Sequence, residues 1–88
     1  MITWDEPKRL RNLRDHGIDF THLENVFDFP MVTEEDKRQS YGELRLRSLG
    51  LHAGRVVFLV WTERQRGAHI ISCRYAERHE TKTYFAAL

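Results

Sequence analysis

Cysteine is almost missing from this chain. Cys73 stands alone among 88 residues, so no internal disulfide can form and a reducing, cytoplasmic setting is expected. Long hydrophobic runs are missing too. The longest, VVFLVW at 56–61, falls far short of the ~20 apolar residues that span a bilayer. The opening MITWDEPKRLRNL lacks the apolar stretch of a secretory leader. His16, His22, His52, His69 and His79 make no H-x-x-H or H-E-x-x-H spacing, and there is no cysteine pair; no metal site and no cofactor are expected. There is no glycine-rich phosphate loop, internal repeat or low-complexity tract.

What remains is the composition of one globular domain spanning residues 1–88. A chain of this size buries only roughly 60–65% of its unfolded surface, so a partner is compatible with its size without being required. Net charge is +1, but it is unevenly spread. Residues 1–44 carry six basic and ten acidic side chains, and residues 45–88 eight and three. Eleven of the 14 basic residues are arginine, whose planar fork suits bidentate phosphate contacts. The second half is therefore the candidate anion-binding half.

Periodicity predicts an α+β fold in the order β-α-α-β-β-β-β-α. MITW reads as an edge strand. Asp5 and Pro7 open a helix that stops at Gly17 and offers only a narrow apolar stripe, Leu10 and Leu13. A second helix is expected near Thr21, with Thr21 and Glu24 as a capping box and Leu23, Val26 and Phe27 facing the core. The period then changes to two. MVTEED is a weak strand, DKRQSYGE a turn, and LRLRSLGL alternates apolar and basic residues. RVVFLVWTE and AHIISCRY are strong strands joined at RQRG, and a last helix over 76–88 places Tyr84, Phe85 and Leu88 on one side. Short links imply an antiparallel meander with helices packed on it.

Two clusters carry chemistry. In the last strand Ile70, Ser72 and Arg74 share one face and Ile71, Cys73 and Tyr75 the other, with Cys73 a small core residue. Arg74 then meets Arg78 and Lys82, four apart on the last helix, with Arg64 and Arg66 on the neighbouring turn. Together they form a candidate rim for a polyanion. An ordinary solvated helix, with Arg78 and Lys82 paired to Glu77, Glu80 or Glu63, accounts equally well for the charges. Lys8, Asn12 and His16 form a second stripe at i, i+4 and i+8. Its expected role is structural, with Asn12 satisfying nearby backbone and His16 at the negative end of the helix dipole.

Taken in order, the motifs resemble those of the BrnT toxins of BrnT–BrnA toxin–antitoxin modules. Trp4, Asp5, Lys8, Asn12, His16, Gly17 and Phe20 match W-D-x-x-K-x-x-x-N-x-x-x-H-G-x-x-F. VFDFP at 26–30, GELR at 42–45 leading to Gly50, WTER at 61–64 and IISCRYAERHE at 70–80 follow at matching spacing. The resemblance implies a RelE-like α+β fold with a small antiparallel sheet, two N-terminal helices and one C-terminal helix. It implies a ribonuclease toxin that cleaves RNA and inhibits translation and growth. Its partner would be a BrnA-like antitoxin with a ribbon-helix-helix DNA-binding domain, and DNA would be met only through that antitoxin. A heterotetramer built on a toxin homodimer is one arrangement it allows.

Residue by residue, Arg64 matches the arginine of the T-E-R motif, Arg74 and Arg78 those of the last motif, and Glu80 its closing acid. Tyr75 and His79 stand where many relatives carry basic residues, and would supply a stacking ring and an imidazole that ordinarily titrates near neutrality. The expected activity is metal-independent endoribonuclease cleavage by 2′-OH attack. Arg64, Arg74 and Arg78 would clamp the phosphate, with His79, Glu63 and Tyr75 as candidate acid–base groups. Arg45, Arg66, Tyr75 and Lys82 would contact RNA. A noncatalytic RNA- or DNA-binding module, or a protein-interaction domain, remains the alternative use of the same arginines.

Overall fold

The period-two segments become a five-stranded sheet in the order β1-β5-β4-β3-β2, seen in a computed structural model that describes residues 1–38 and 40–88. Gln39, inside the expected 36–43 turn, lies outside the described residues. The strands are β1 (Ile2–Trp4), β2 (Val32–Glu35), β3 (Leu46–His52), β4 (Arg55–Arg64) and β5 (Gly67–Tyr75). β2 to β5 form the expected antiparallel meander. β1 is an edge strand, as expected, but pairs with β5 in parallel, so the sheet is mixed rather than antiparallel. Gly67 permits that pairing: its φ of 122° and missing Cβ leave room for the Met1 carbonyl.

The helix α1 (Glu6–His16) has Pro7 in its first turn and ends at Gly17, left-handed at φ 71°, whose N–H donates to Leu13 O. Its leucines do not dock it, since Leu10 and Leu13 are exposed. The anchor is the buried Asn12. Its Nδ2 donates to Ile18 O and Cys73 O, both at 2.9 Å, and its Oδ1 accepts from Cys73 N at 3.0 Å. β1 pairs with β5 only as far as Ile70, so Asn12 serves the free backbone of β5 as a further strand would. The expected structural role of Asn12 is what the structure shows.

The expected second helix is not an α-helix. Two 3-10 turns, Phe20–His22 and Glu24–Asp28, take its place, so the chain has one N-terminal α-helix rather than two. Phe20, Leu23 and Val26, all buried, recur every three residues, a spacing that three residues per turn keeps on one side. The Thr21–Glu24 box is replaced by Asp19, whose carboxylate accepts from Thr21 N at 3.0 Å.

A bulge between Val60 and Trp61 also alters the reading of β5. Trp61 pairs with Ile70 and Val60 with Ser72, leaving Ile71 as the extra residue. Ile70 therefore shares a face with Cys73 and Tyr75, not with Ser72 and Arg74. On that face Val57, Leu59 and Trp61 join Ile70 and Cys73 under Ile18, Phe20, Leu23 and Val26. On the other, Leu49, Val56 and Phe58 pack with Tyr84 of α2 (Arg78–Ala86). Tyr84 is buried and donates to Pro30 O at 2.8 Å; Phe85 and Leu88, expected beside it, are exposed. α2 begins two residues later than expected, because Glu77 and Glu80 form a reciprocal capping box there. It covers only the Leu49–Val56 end of its face. Among the described residues, no helix lies over the rest of that face.

Candidate nucleic-acid interface

The strand register fixes which side chains share the open half-face. Arg47 comes from β3, with Arg45 just before its first residue, Val60, Thr62 and Arg64 from β4, and His69, Ser72 and Arg74 from β5. Val60 and Thr62 are buried at its floor. At its centre is a cavity of about 390 Å³ lined by Arg38, Arg47, Arg74, Ser72, Glu80 and His16. His16 reaches it from the C-terminal end of α1, where a cation is also favoured by the helix dipole.

Four of these arginines hold a carboxylate. Arg38 meets Asp36 at 2.7 Å, Arg47 meets Glu34 at 2.7 Å, Arg64 meets Glu43 at 3.0 Å and Arg74 meets Glu80 at 2.9 Å. The pairs differ in how firmly they are fixed. The Asp36 carboxylate is fully buried and also accepts from Tyr41 OH at 3.3 Å. Arg38 therefore holds its pKa far below the usual carboxylate range. Arg74 likewise lowers the Glu80 carboxyl, against the opposing effect of burial. Glu34, 68% exposed, is free to leave Arg47. The Arg47 Nε–H is buried and has no acceptor among the described residues. A buried donor of this kind suits an incoming anion.

The expected site residues are divided rather than gathered. Arg64 and Arg74 share the open face, but six residues of β4 separate Arg64 from Phe58, the partner of Arg74. That distance is roughly 20 Å at ~3.3 Å per residue, so the two do not form one rim. Arg66 lies exposed in the turn beside Arg64. Glu63 points to the opposite face with Trp61, where it joins Glu24 and Asp28 around a cavity of about 500 Å³. The Met1 ammonium, 3.2 Å from Glu24, and Arg64 border the same cavity, so its three carboxylates face two cations.

Tyr75 lies on the covered face, with the Arg55 guanidinium 3.6 Å above its ring. Arg78, His79 and Lys82 are exposed on α2 and do not line the central cavity; His79 reaches Glu77 at 3.6 Å. Cys73 is buried as expected, and burial pushes its thiol up to about 12. His69 bonds Thr3 through Nδ1 at 2.8 Å, and burial together with Arg64 lowers its pKa.

Sequence reasoning missed Arg38, Arg47 and the approach of His16. The alternation LRLR already placed Arg45 and Arg47 on one strand face; what it lacked was which face stays open.

Comparison with known families decides the class. The family model for the ribonuclease toxin BrnT of type II toxin–antitoxin systems matches residues 4–80. The chain belongs to the BrnT family. No curated protein matches it significantly. Membership of this type II family brings with it an antitoxin protein as partner. In this BrnT chain, among the described residues, no helix is long and apolar enough to cross a membrane.

Proposed function

We propose that this BrnT chain cuts RNA in the central cavity of the open sheet face. The observation that carries the reading is Arg47, whose buried Nε–H has no acceptor among the described residues and which shares a cavity with Arg38, Arg74 and His16. The scissile phosphate displaces Glu34 from Arg47, and the Arg38 and Arg74 guanidiniums, each held in orientation by its own carboxylate, stand beside it. The 2′-oxygen forms a bond to phosphorus while His16 accepts its proton, and the bond from phosphorus to the 5′-oxygen breaks. The departing oxygen takes a proton from water, giving a 2′,3′-cyclic phosphate and a 5′-OH, and His16 returns its proton to solvent. Arginine charge stabilises the crowded phosphorane, so cleavage proceeds without a metal. Arg64 and Arg66 extend the cationic strip towards the β4–β5 turn.

In the cell the toxin acts on cytoplasmic RNA and lowers translation until a BrnA-like antitoxin with a ribbon-helix-helix domain covers it. The test uses 5′-labelled single-stranded RNA and excess EDTA. Wild type yields fragments ending in 2′,3′-cyclic phosphate, and Arg47→Gln is slower by about 10²–10³. Salt-sensitive binding without cleavage, in buffer and in a translation extract alike, would make the protein a binding module.

A further inference from the structure

Arg45 stands one residue before β3 and two before Arg47, and its carbonyl accepts the Asp36 N–H at 2.8 Å, which carries the β2–β3 ladder one step further; at ~3.4 Å per residue of extended chain the two arginines are about 6.8 Å apart. That matches the spacing of successive phosphates along an extended single strand. Three buried side-chain nitrogens lack a partner among the described residues: Arg45 Nε, Arg47 Nε and His52 Nδ1. His52 belongs to the far end of β3, so the two arginines form a pair of neighbouring, unanswered donors.

Arg45 is also held in place. Its guanidinium carbon lies over the Tyr41 ring, 3.9 Å from the centroid, a cation–π contact that holds the fork in place. Among the described residues it has no carboxylate at ion-pair distance, whereas Arg38, Arg47, Arg64 and Arg74 each have one. Its neighbours in the row across the sheet do not answer it. Thr62 donates its hydroxyl to Leu44 O at 2.6 Å, and His69 Nδ1 is bonded to Thr3.

The structure assigns Arg45 as a second phosphate subsite, gripping the phosphodiester one nucleotide away from the one at Arg47, so that RNA lies extended along β3. RNA as the ligand rests on the ribonuclease reading; the tandem spacing rests on the strand. Arg47 with His16 performs the cleavage, and Arg45 sets the register of the strand that is cut.

The test is binding of a non-cleavable 2′-O-methyl RNA trimer, followed by fluorescence anisotropy over a salt series. Arg45→Gln should weaken binding at least about fivefold. It should also shallow the log–log salt slope by about 0.7, the value for one single-strand phosphate contact, and Arg45→Lys should restore the slope. A trimer with a neutral methylphosphonate at either of its two linkages gives the same readout on unaltered protein, with comparable weakening at both. An unchanged salt slope in Arg45→Gln, weakening at one linkage only, or no salt-dependent binding by wild type would each overturn the subsite. Binding that obeys these expectations while ordinary RNA stays uncut supports the subsite and removes the ribonuclease reading alone.

Discussion

Arg74 and Glu80 meet fork to fork across the strand–helix corner. Nη1 and Nη2 of Arg74 donate to Oε1 and Oε2 of Glu80 at 2.9 and 3.0 Å, and Oε1 also accepts the Glu77 N–H at 2.7 Å. One carboxylate thus caps α2 and ties it to β5, while Arg74 rests on Phe58 at 4.4 Å and donates to Tyr75 O. The pair is a fastening before it is a substrate contact. Arg74→Ala and Glu80→Gln should each cost about 1.5–3 kcal/mol in urea unfolding, the range for charged hydrogen bonds. The double variant should lose much less than the two losses added together. Fully additive losses would show that the pair is not coupled.

The same pair sets an acid limb. Arg74 depresses the folded-state pKa of Glu80 below its ordinary 4.5. The folded state then binds fewer protons than the unfolded one in this window, so the contribution is complete above about pH 5 and is lost as pH falls through the depressed value. Wild type should lose stability between pH 5 and 3 more steeply than Glu80→Gln. Parallel curves would remove Glu80 from the acid limb.

These contacts also show what the sequence could tell and what it could not. Gly17, the alternation over 46–60 and the helix after Ala76 were legible because each rests on local backbone chemistry; the faces of β5 were not, because the bulge at Val60/Trp61 shifts them. The 3-10 turns were not, since Thr21 and Glu24 satisfy the capping-box pattern while the choice is made by Phe20, Leu23 and Val26 against the sheet. At the site, the excess of arginine was legible and its grouping was not. Arg64 and Arg74 are close in sequence through a hairpin, but the antiparallel register carries them to opposite ends. The parallel contact of β1 with β5 joins residues 66 positions apart, and Arg47 and Arg64 take carboxylates 13 and 21 positions away, beyond any local pattern.

Asn12 replaces a strand with one side chain, so its loss should be costly. Asn12→Ala leaves the Cys73 N–H and two carbonyls without their partner in a buried place, and should destabilise by about 2–4 kcal/mol. Asn12→Asp should be no better, because its carboxylate keeps the acceptor but faces the Ile18 and Cys73 carbonyls with no donor. Urea unfolding measures the cost, and amide exchange at Cys73 should accelerate in both. Wild-type protection at that amide would mean that other groups hold the edge.

Cys73 offers a probe of the same region. Burial raises its thiol to about 12, so almost no thiolate exists at pH 8. Iodoacetamide should leave the folded protein unmodified over hours and label it within minutes in denaturing urea. In Asn12→Ala the labelling should rise at urea concentrations where wild type is still protected. Rapid labelling of the native wild type would contradict the burial of this strand.

His16 and His79 are distinguished by where they stand, not by residue type. His16 lines the cavity with Arg47 and Arg74, whereas His79 is 76% exposed on α2 and reaches only Glu77. If the cavity is where the 2′-oxygen is activated, His16→Ala should slow RNA cleavage by about 10²–10⁴, the usual contribution of a positioned proton acceptor. Added imidazole should restore part of the rate, because a truncated side chain leaves room for a free base. RNA affinity should change little, since the arginines that bind phosphate are untouched. His79→Gln should cut at the wild-type rate. The reverse pattern, with His79→Gln inactive and His16→Ala active, would move the chemistry from the sheet face to the surface of α2.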